Sequence, residues 1–187
     1  MASILVQTTD FTGLYAIAQT TYTTPKLQAF IDEHEKSLIR KLLGLELGDL
    51  FIASVTSYAP VGARYLAIFN PLAIQLDDTV PNNYYDTDGY CGRHIYESRG
   101  MKEILKGLIY CLYVQDQQAQ HSQSGVVKST ADVSNVMTGE NAARLGEIRH
   151  NGIIGDWEAV QYYCNVNSDT YPEFKGLRLA PKYSAIL

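Results

Sequence analysis

The 187-residue sequence has no long hydrophobic run, and its richest stretch is Leu108 to Val114. A membrane-spanning helix needs about 18 or more apolar residues, so the chain is not expected to cross a bilayer. No basic residue precedes Lys26 and no arginine precedes Arg40. A secretory signal, which opens on positive charge, is therefore not expected either. Cysteine is sparse: Cys91, Cys111 and Cys164 are odd in number and widely spaced. That pattern gives no disulfide framework and reads as reduced thiols in a cytosolic setting. Positive charge is also short, with 15 Lys and Arg against 20 Asp and Glu, a net −5. A free-standing nucleic-acid binder would show a basic stripe instead. Phe and Trp are few, at 5 and 1, and the aromatic content rests on 14 tyrosines. Tyrosine suits interfaces and ordinary half-buried positions alike, so both readings stay open.

Catalytic signatures are missing too. There is no G-x-S-x-G, P-loop, G-x-G-x-x-G or H-E-x-x-H. Cys91 and His94 make half a zinc site with no second half, since Cys111 and Cys164 stand alone on apolar faces as small hydrophobes. Asp86-x-Asp88-Gly89 has part of a calcium loop, but Ile95 stands where the closing acid belongs, so it reads as a turn. Glu147-x-x-His150 matches one arm of a di-iron bundle; a single copy reads as a solvated helix face. Gly152-x-x-Gly155 lacks the lysines and βα context of a nucleic-acid clamp and reads as close helix packing. His34, interrupting an apolar face, reads as a hydrogen-bonded boundary histidine. No enzyme, cofactor or metal is expected.

What is present is an ordinary globular balance, 46% hydrophobic and 19% charged. A single domain of this length buries roughly 70% of its unfolded surface, enough to fold without a staple. Helix A is expected over about 25–43. Thr24-Pro25 opens it, Leu27, Phe30, Ile31, His34, Leu38, Leu42 and Leu45 share a face, and Gly44 is the expected end. The charged residues Asp32, Glu33, Glu35, Lys36, Arg40 and Lys41 occupy the rest. A short helix comes next over about 47–55. Residues 56–97, broken by Pro60, Pro71 and Pro81, read as a long excursion of turns and short strands, with strand candidates at 64–69 and 73–76.

Helix B is expected from near Ser98, with Met101, Ile104, Leu105, Leu108, Ile109, Leu112 and Tyr113 facing inward. Helix C begins near Thr138, with Ala142, Leu145, Ile148, Ile153, Trp157, Val160 and Cys164 on one face. Gly146, Gly152 and Gly155 either break it or weaken it, and the continuous helix is preferred. Between B and C, residues 121–137 form a polar loop with a β-like patch at Val126, Val127 and Lys128. After Asn165 the chain is apolar yet unable to form a helix, so it must dock on its own core or on a partner. The expected fold is mainly α: a small bundle of three principal helices over residues 1–165, with the insertion 56–97, the loop 121–137 and an extended docking tail over 166–187. A chain cut after Asn165 is expected to stay folded.

The run from Phe30-Ile31-Asp32-Glu33-His34-Glu35 through Leu42-Leu43-Gly44-Leu45 to Leu50-Phe51 resembles a recurring opening in tailed-bacteriophage proteins. So do Gly100-Met101-Lys102 through Tyr113-Val114-Gln115-Asp116, Gln123-Ser124-Gly125 and Val133-Ser134-Asn135. Across roughly residues 25–165 the chain resembles the head–tail connector proteins of phages infecting gut bacteria, within the wider portal-adaptor family. The resemblance implies a structural virion protein made in the bacterial cytoplasm and repeated around a ring, commonly twelve-fold. The ring would join the portal protein to an adjacent neck or tail protein, with DNA passing through without sequence-specific binding. It further implies docking through the loop between the last helices and through the tail. The matching positions are Gly125 to Val136, with Val126, Val127 and Lys128, and Tyr171 to Leu187, with Tyr171, Phe174, Leu177, Arg178, Leu179, Tyr183, Ile186 and Leu187. The long insertion departs from compact adaptors. An acidic chain suits a channel that must not hold phosphate. Residues 173–187, where Lys175, Arg178 and Lys182 outnumber Glu173, suit an acidic neighbour. The alternative function is a monomeric or dimeric helical domain that binds a small ligand or a regulator.

Overall fold

The computed structural model describes residues 4–17, 24–75, 95–118, 120–122, 125–127 and 139–175. The fold is mainly α. After two 3-10 turns, Thr8–Asp10 and Gly13–Tyr15, come α1 (Thr24–Leu43), α2 (Leu45–Ser54), the strands β1 (Val55–Thr56) and β2 (Ala59–Pro60), and α3 (Ala63–Phe69). The strands β3 (Leu72–Gln75) and β4 (Ile95–Ser98) precede α4 (Met101–Gln118). The ribbon β5 (Gln120–Ser122) and β6 (Gly125–Val127) precedes α5 (Gly139–Val166). Helices A, B and C of the sequence reading are α1, α4 and α5.

The three long helices share one core. Leu27, Ile31, Leu38 and Leu42 of α1 meet Ile104, Leu105 and Leu108 of α4 and Ile153, Trp157, Val160 and Cys164 of α5. Gly44, at φ +84°, a conformation that favours glycine, ends α1 and turns the chain into α2, which packs back on α1. Leu45, read on the apolar face of helix A, is therefore exposed at the start of α2 instead. At the entrance to α4, Gly100 has φ +97°, and a Cβ there would sit 2.7 Å from the carbonyl oxygen of Phe69. The end of α3 is thereby held against the start of α4. Ser98 does not cap α4 as the sequence suggests. It closes β4, and its Oγ accepts the Gly100 N–H at 3.2 Å.

Two further readings are corrected. Residues 64–69, a strand candidate, lie in the helix α3. A short apolar run does not separate strand from helix by its period. Ile148, assigned to the inner face of α5, is exposed. It lies five residues before Ile153, about 140° round the helix at 3.6 residues per turn, and so faces away from the core. The preferred continuous helix is what α5 forms, 28 residues from Gly139 to Val166.

The excursion leaves and returns at one place. β3 and β4 pair antiparallel, with Leu72 opposite Ser98 and Gln75 opposite Ile95, and both pack on α5. Cys91, His94 and the Asp86–Gly89 turn lie outside the described residues.

Buried polar groups tie the layers together. Gln161, fully buried on α5, donates Nε2–H to the carbonyl of Leu42 at 2.8 Å. This satisfies one of the carbonyls that the last turn of a helix leaves without a partner. Glu35, read in the sequence among the charged outer residues of helix A, is only 1% exposed. Its Oε2 accepts the N–H of Ile4 at 2.6 Å, and its Oε1 accepts those of Leu5 and Val6 at 2.8 and 2.7 Å. Burial pushes the Glu35 carboxyl up, and the three N–H donors work against that rise.

Candidate functional site

The residues assigned to docking fall into three groups. Val126 and Val127 lie on β6, where Val126 pairs with His121 and Val127 with Gln120. The ribbon stands between two long helices and, among the described residues, packs mainly on itself. A two-stranded ribbon by itself is marginal in water and gains from pairing with a further strand. Lys128 lies outside the described residues, as do Leu177, Arg178, Leu179, Tyr183, Ile186 and Leu187.

Tyr171 and Phe174 form the second group, and the structure seats them on the chain's own core. After α5 the chain turns back, with the Tyr171 N–H bonded to the carbonyl of Asn167 at 3.0 Å. The Tyr171 side chain is 1% exposed, and its hydroxyl donates to the carbonyl of Arg64 at 2.8 Å. The Arg64 guanidinium stands 5.5 Å from the centre of the same ring and pairs with the Glu173 carboxylate. Phe174 is half-buried against the core. Tyr171 is thus a core anchor and not a surface for partners, and residues 167–174 belong to the helical domain. The correction has a simple cause: a tyrosine whose hydroxyl reaches a backbone carbonyl 107 residues away cannot be told from an exposed one by local pattern.

This hook should respond to acid. Burial raises the Glu173 carboxyl, but the Arg64 hydrogen bond and charge outweigh it and hold the group below its ordinary value of 4.5. A carboxylate with a lowered folded pKa stabilises above its unfolded pKa and loses that contribution as pH falls through the folded value. The protection of the amides of residues 167–174, measured against their intrinsic exchange rates at each pH, is expected to fall below about pH 4.5. In Glu173→Gln the loss attributable to this pair should vanish. Identical pH profiles in both chains would remove Glu173 from the hook.

The third feature was not foreseen. A cleft of about 700 Å³ opens between the base of the β3–β4 hairpin and α5, lined by Leu72, Glu97, Arg99, Gly152, Gly155 and Asp156 among others. The sequence reading of Gly152 and Gly155 as close helix packing is corrected here, because a Cβ on either would meet nothing within 4 Å. The two glycines form an open floor. Beside it Asp156, nearly buried, accepts the Arg99 N–H at 3.0 Å and Nε–H at 2.8 Å and pairs with its outer nitrogen. Arg99 remains 45% exposed. The pair places the Arg99 guanidinium, bonded to Asp156, at the rim of the cleft, with the exposed Glu97 in the same lining. No local spacing in the sequence announces it, since the partners stand 57 residues apart.

The remaining candidates are quiet. Among the described residues no group of three His, Cys, Asp or Glu is placed to hold a metal ion. Burial lowers the His150 imidazole from its ordinary value. His34 sits half-buried with its ring 4.3 Å from that of Phe30. Burial raises the Cys111 thiol and pushes Cys164 up to about 12, so both stay protonated at neutral pH and are poor nucleophiles. Among the described residues no helix is long and apolar enough to cross a membrane. Comparison with protein-family models, curated proteins and solved structures gives no match.

Proposed function

We propose that the chain is a structural protein of the phage neck, an oligomeric ring that joins the portal to the tail around the DNA channel. The reading starts from the sequence resemblance. The observation that supports it is the β5–β6 ribbon itself, an antiparallel pair that carries Val126 and Val127 and stands in the chain between α4 and α5. A subunit that docks through such a ribbon contributes backbone pairing to a neighbour. A net charge of −5 per copy suits a ring whose lumen must not hold phosphate. No bond chemistry is required of any residue.

Sedimentation velocity and negative-stain microscopy of the purified full chain, alone and mixed with the portal protein, test the reading. A ring, or co-sedimentation with the portal, is the expected result. A chain that stays monomeric at every concentration and ignores the portal overturns it. The second reading, a monomeric or dimeric ligand-binding domain, is favoured by the cleft beside Arg99 and Asp156. It would then come to the front.

A further inference from the structure

Between Asp49 and Arg64 no residue carries a charge, and this run holds the β1–β2 hairpin. Val55 pairs with Pro60 and Thr56 with Ala59, which leaves Ser57 and Tyr58 as a two-residue loop. Both have positive φ, +52° and +65°. Such loops favour Asn-Gly, and a bulky side chain at positive φ is strained. Tyr58 is nevertheless set there, 44% exposed, and Val61 just beyond β2 is 63% exposed. Exposed strand edges are ordinarily blunted by charge, and this hairpin has none. An unguarded, strained loop carrying an exposed aromatic residue is a device for contact.

The cleft beside α5 has the complementary form. Its floor is Gly152 and Gly155, three residues apart and so neighbours on one face of the helix, where a Cβ would meet nothing within 4 Å. Leu72 gives an apolar wall, and about 700 Å³ holds a tyrosine side chain with space for the loop behind it. The charges match as well. A guanidinium is attracted to the face of a tyrosine ring, and the chain uses this pairing elsewhere. Arg64, paired with Glu173, stands 5.5 Å from the centre of the Tyr171 ring, and Arg149 stands 5.6 Å from that of Tyr110. Arg99, paired with Asp156 in the same way, is 45% exposed and stands over no ring among the described residues. Glu97, exposed in the same lining, offers an acceptor for a phenol O–H.

We propose that Tyr58 of one copy enters the cleft of the next, its ring on Gly152 and Gly155 against Arg99 and its hydroxyl directed at Glu97. The proposal rests on the ring reading and names the contact between its copies. A knob on the β1–β2 hairpin and a hollow beside α5 make a head-to-tail contact, the kind that closes rings.

Sedimentation velocity on the full chain, on Tyr58→Gly, on Gly155→Leu and on an equal mixture of the two variants tests it. Each substitution suits its backbone: glycine relieves the loop, and position 155 has open space for a Cβ. Both variants should melt no lower than the wild type, yet self-associate at least about tenfold more weakly. Mixed, they should form one-to-one dimers and nothing larger, since one supplies an intact cleft and the other an intact Tyr58. Self-association of either variant at wild-type strength overturns the proposal and leaves the ring to another surface. Two monomeric variants that do not pair when mixed overturn it as well. A wild-type chain that binds the portal without self-associating overturns this contact alone. One that does neither takes the ring reading with it.

Discussion

Glu35→Ala is expected to unfold the N-terminal segment and to cost the domain about 3–6 kcal/mol, taking roughly 1–3 kcal/mol for each buried donor left without a partner, with some relief from water entry. Three backbone N–H groups, of Ile4, Leu5 and Val6, depend on this one carboxylate. At about 2–4 °C per kcal/mol for a chain of this size, the melting temperature should fall by roughly 10 °C. Glu35→Gln separates the hydrogen bonds from the bulk of the side chain. Its oxygen can still accept the Leu5 and Val6 donors that share Oε1, while its NH₂ would face the Ile4 N–H as donor against donor. The expected order of stability is wild type, then Gln, then Ala, by thermal melts followed in the far ultraviolet. If Glu35→Ala melted with the wild type, the carboxylate would be an ornament of the segment and not its anchor.

Tyr171→Ala is the second large effect. Truncating a fully buried aromatic costs about 3–5 kcal/mol. Tyr171→Phe removes only the hydroxyl bonded to the Arg64 carbonyl and should cost about 0.5–1.5 kcal/mol. A residue kept for a partner would behave otherwise: Ala would leave the melting temperature of the isolated chain where it was and weaken only assembly. A cut after Asn165 removes Tyr171 along with everything beyond it. It is therefore expected to destabilise the domain at least as much as the point substitution, against the sequence-based expectation that such a chain stays folded.

The long helices were legible because their evidence is local. Leu27, Ile31, Leu38 and Leu42 repeat at helical spacing, and Gly44 ends the pattern where the structure ends α1. β3 was found and α3 was mistaken for a strand for the same reason: runs of four to seven apolar residues fit either element, and only the surroundings choose. What stayed hidden were polar residues whose partners lie far off. Glu35, Asp156 and Gln161 look like ordinary surface positions until Leu5, Arg99 and Leu42 are brought beside them. Gly152 and Gly155 carried the opposite trap. Small residues at helical spacing suggest a neighbouring backbone, and here they floor a cleft. Of the docking residues, the sequence pointed to an apolar, non-helical stretch over 166–187, but held no sign that Tyr171 is buried in the chain's own core.

The order in which the ribosome delivers these partners has a consequence of its own. The Glu35 clamp joins residues 29 to 31 positions apart, so it can close as soon as α1 has emerged. Gln161 reaches back 119 residues to Leu42, and Tyr171 reaches back 107 to Arg64. α5, which supplies Ile153, Trp157, Val160 and Cys164 to the core, is the last described helix to be made. During synthesis the part of α1 that α5 covers must wait from residue 43 to about residue 166, most of the chain's length, and that of α4 from residue 118. The core of the described residues is therefore completed only when the last of these helices arrives.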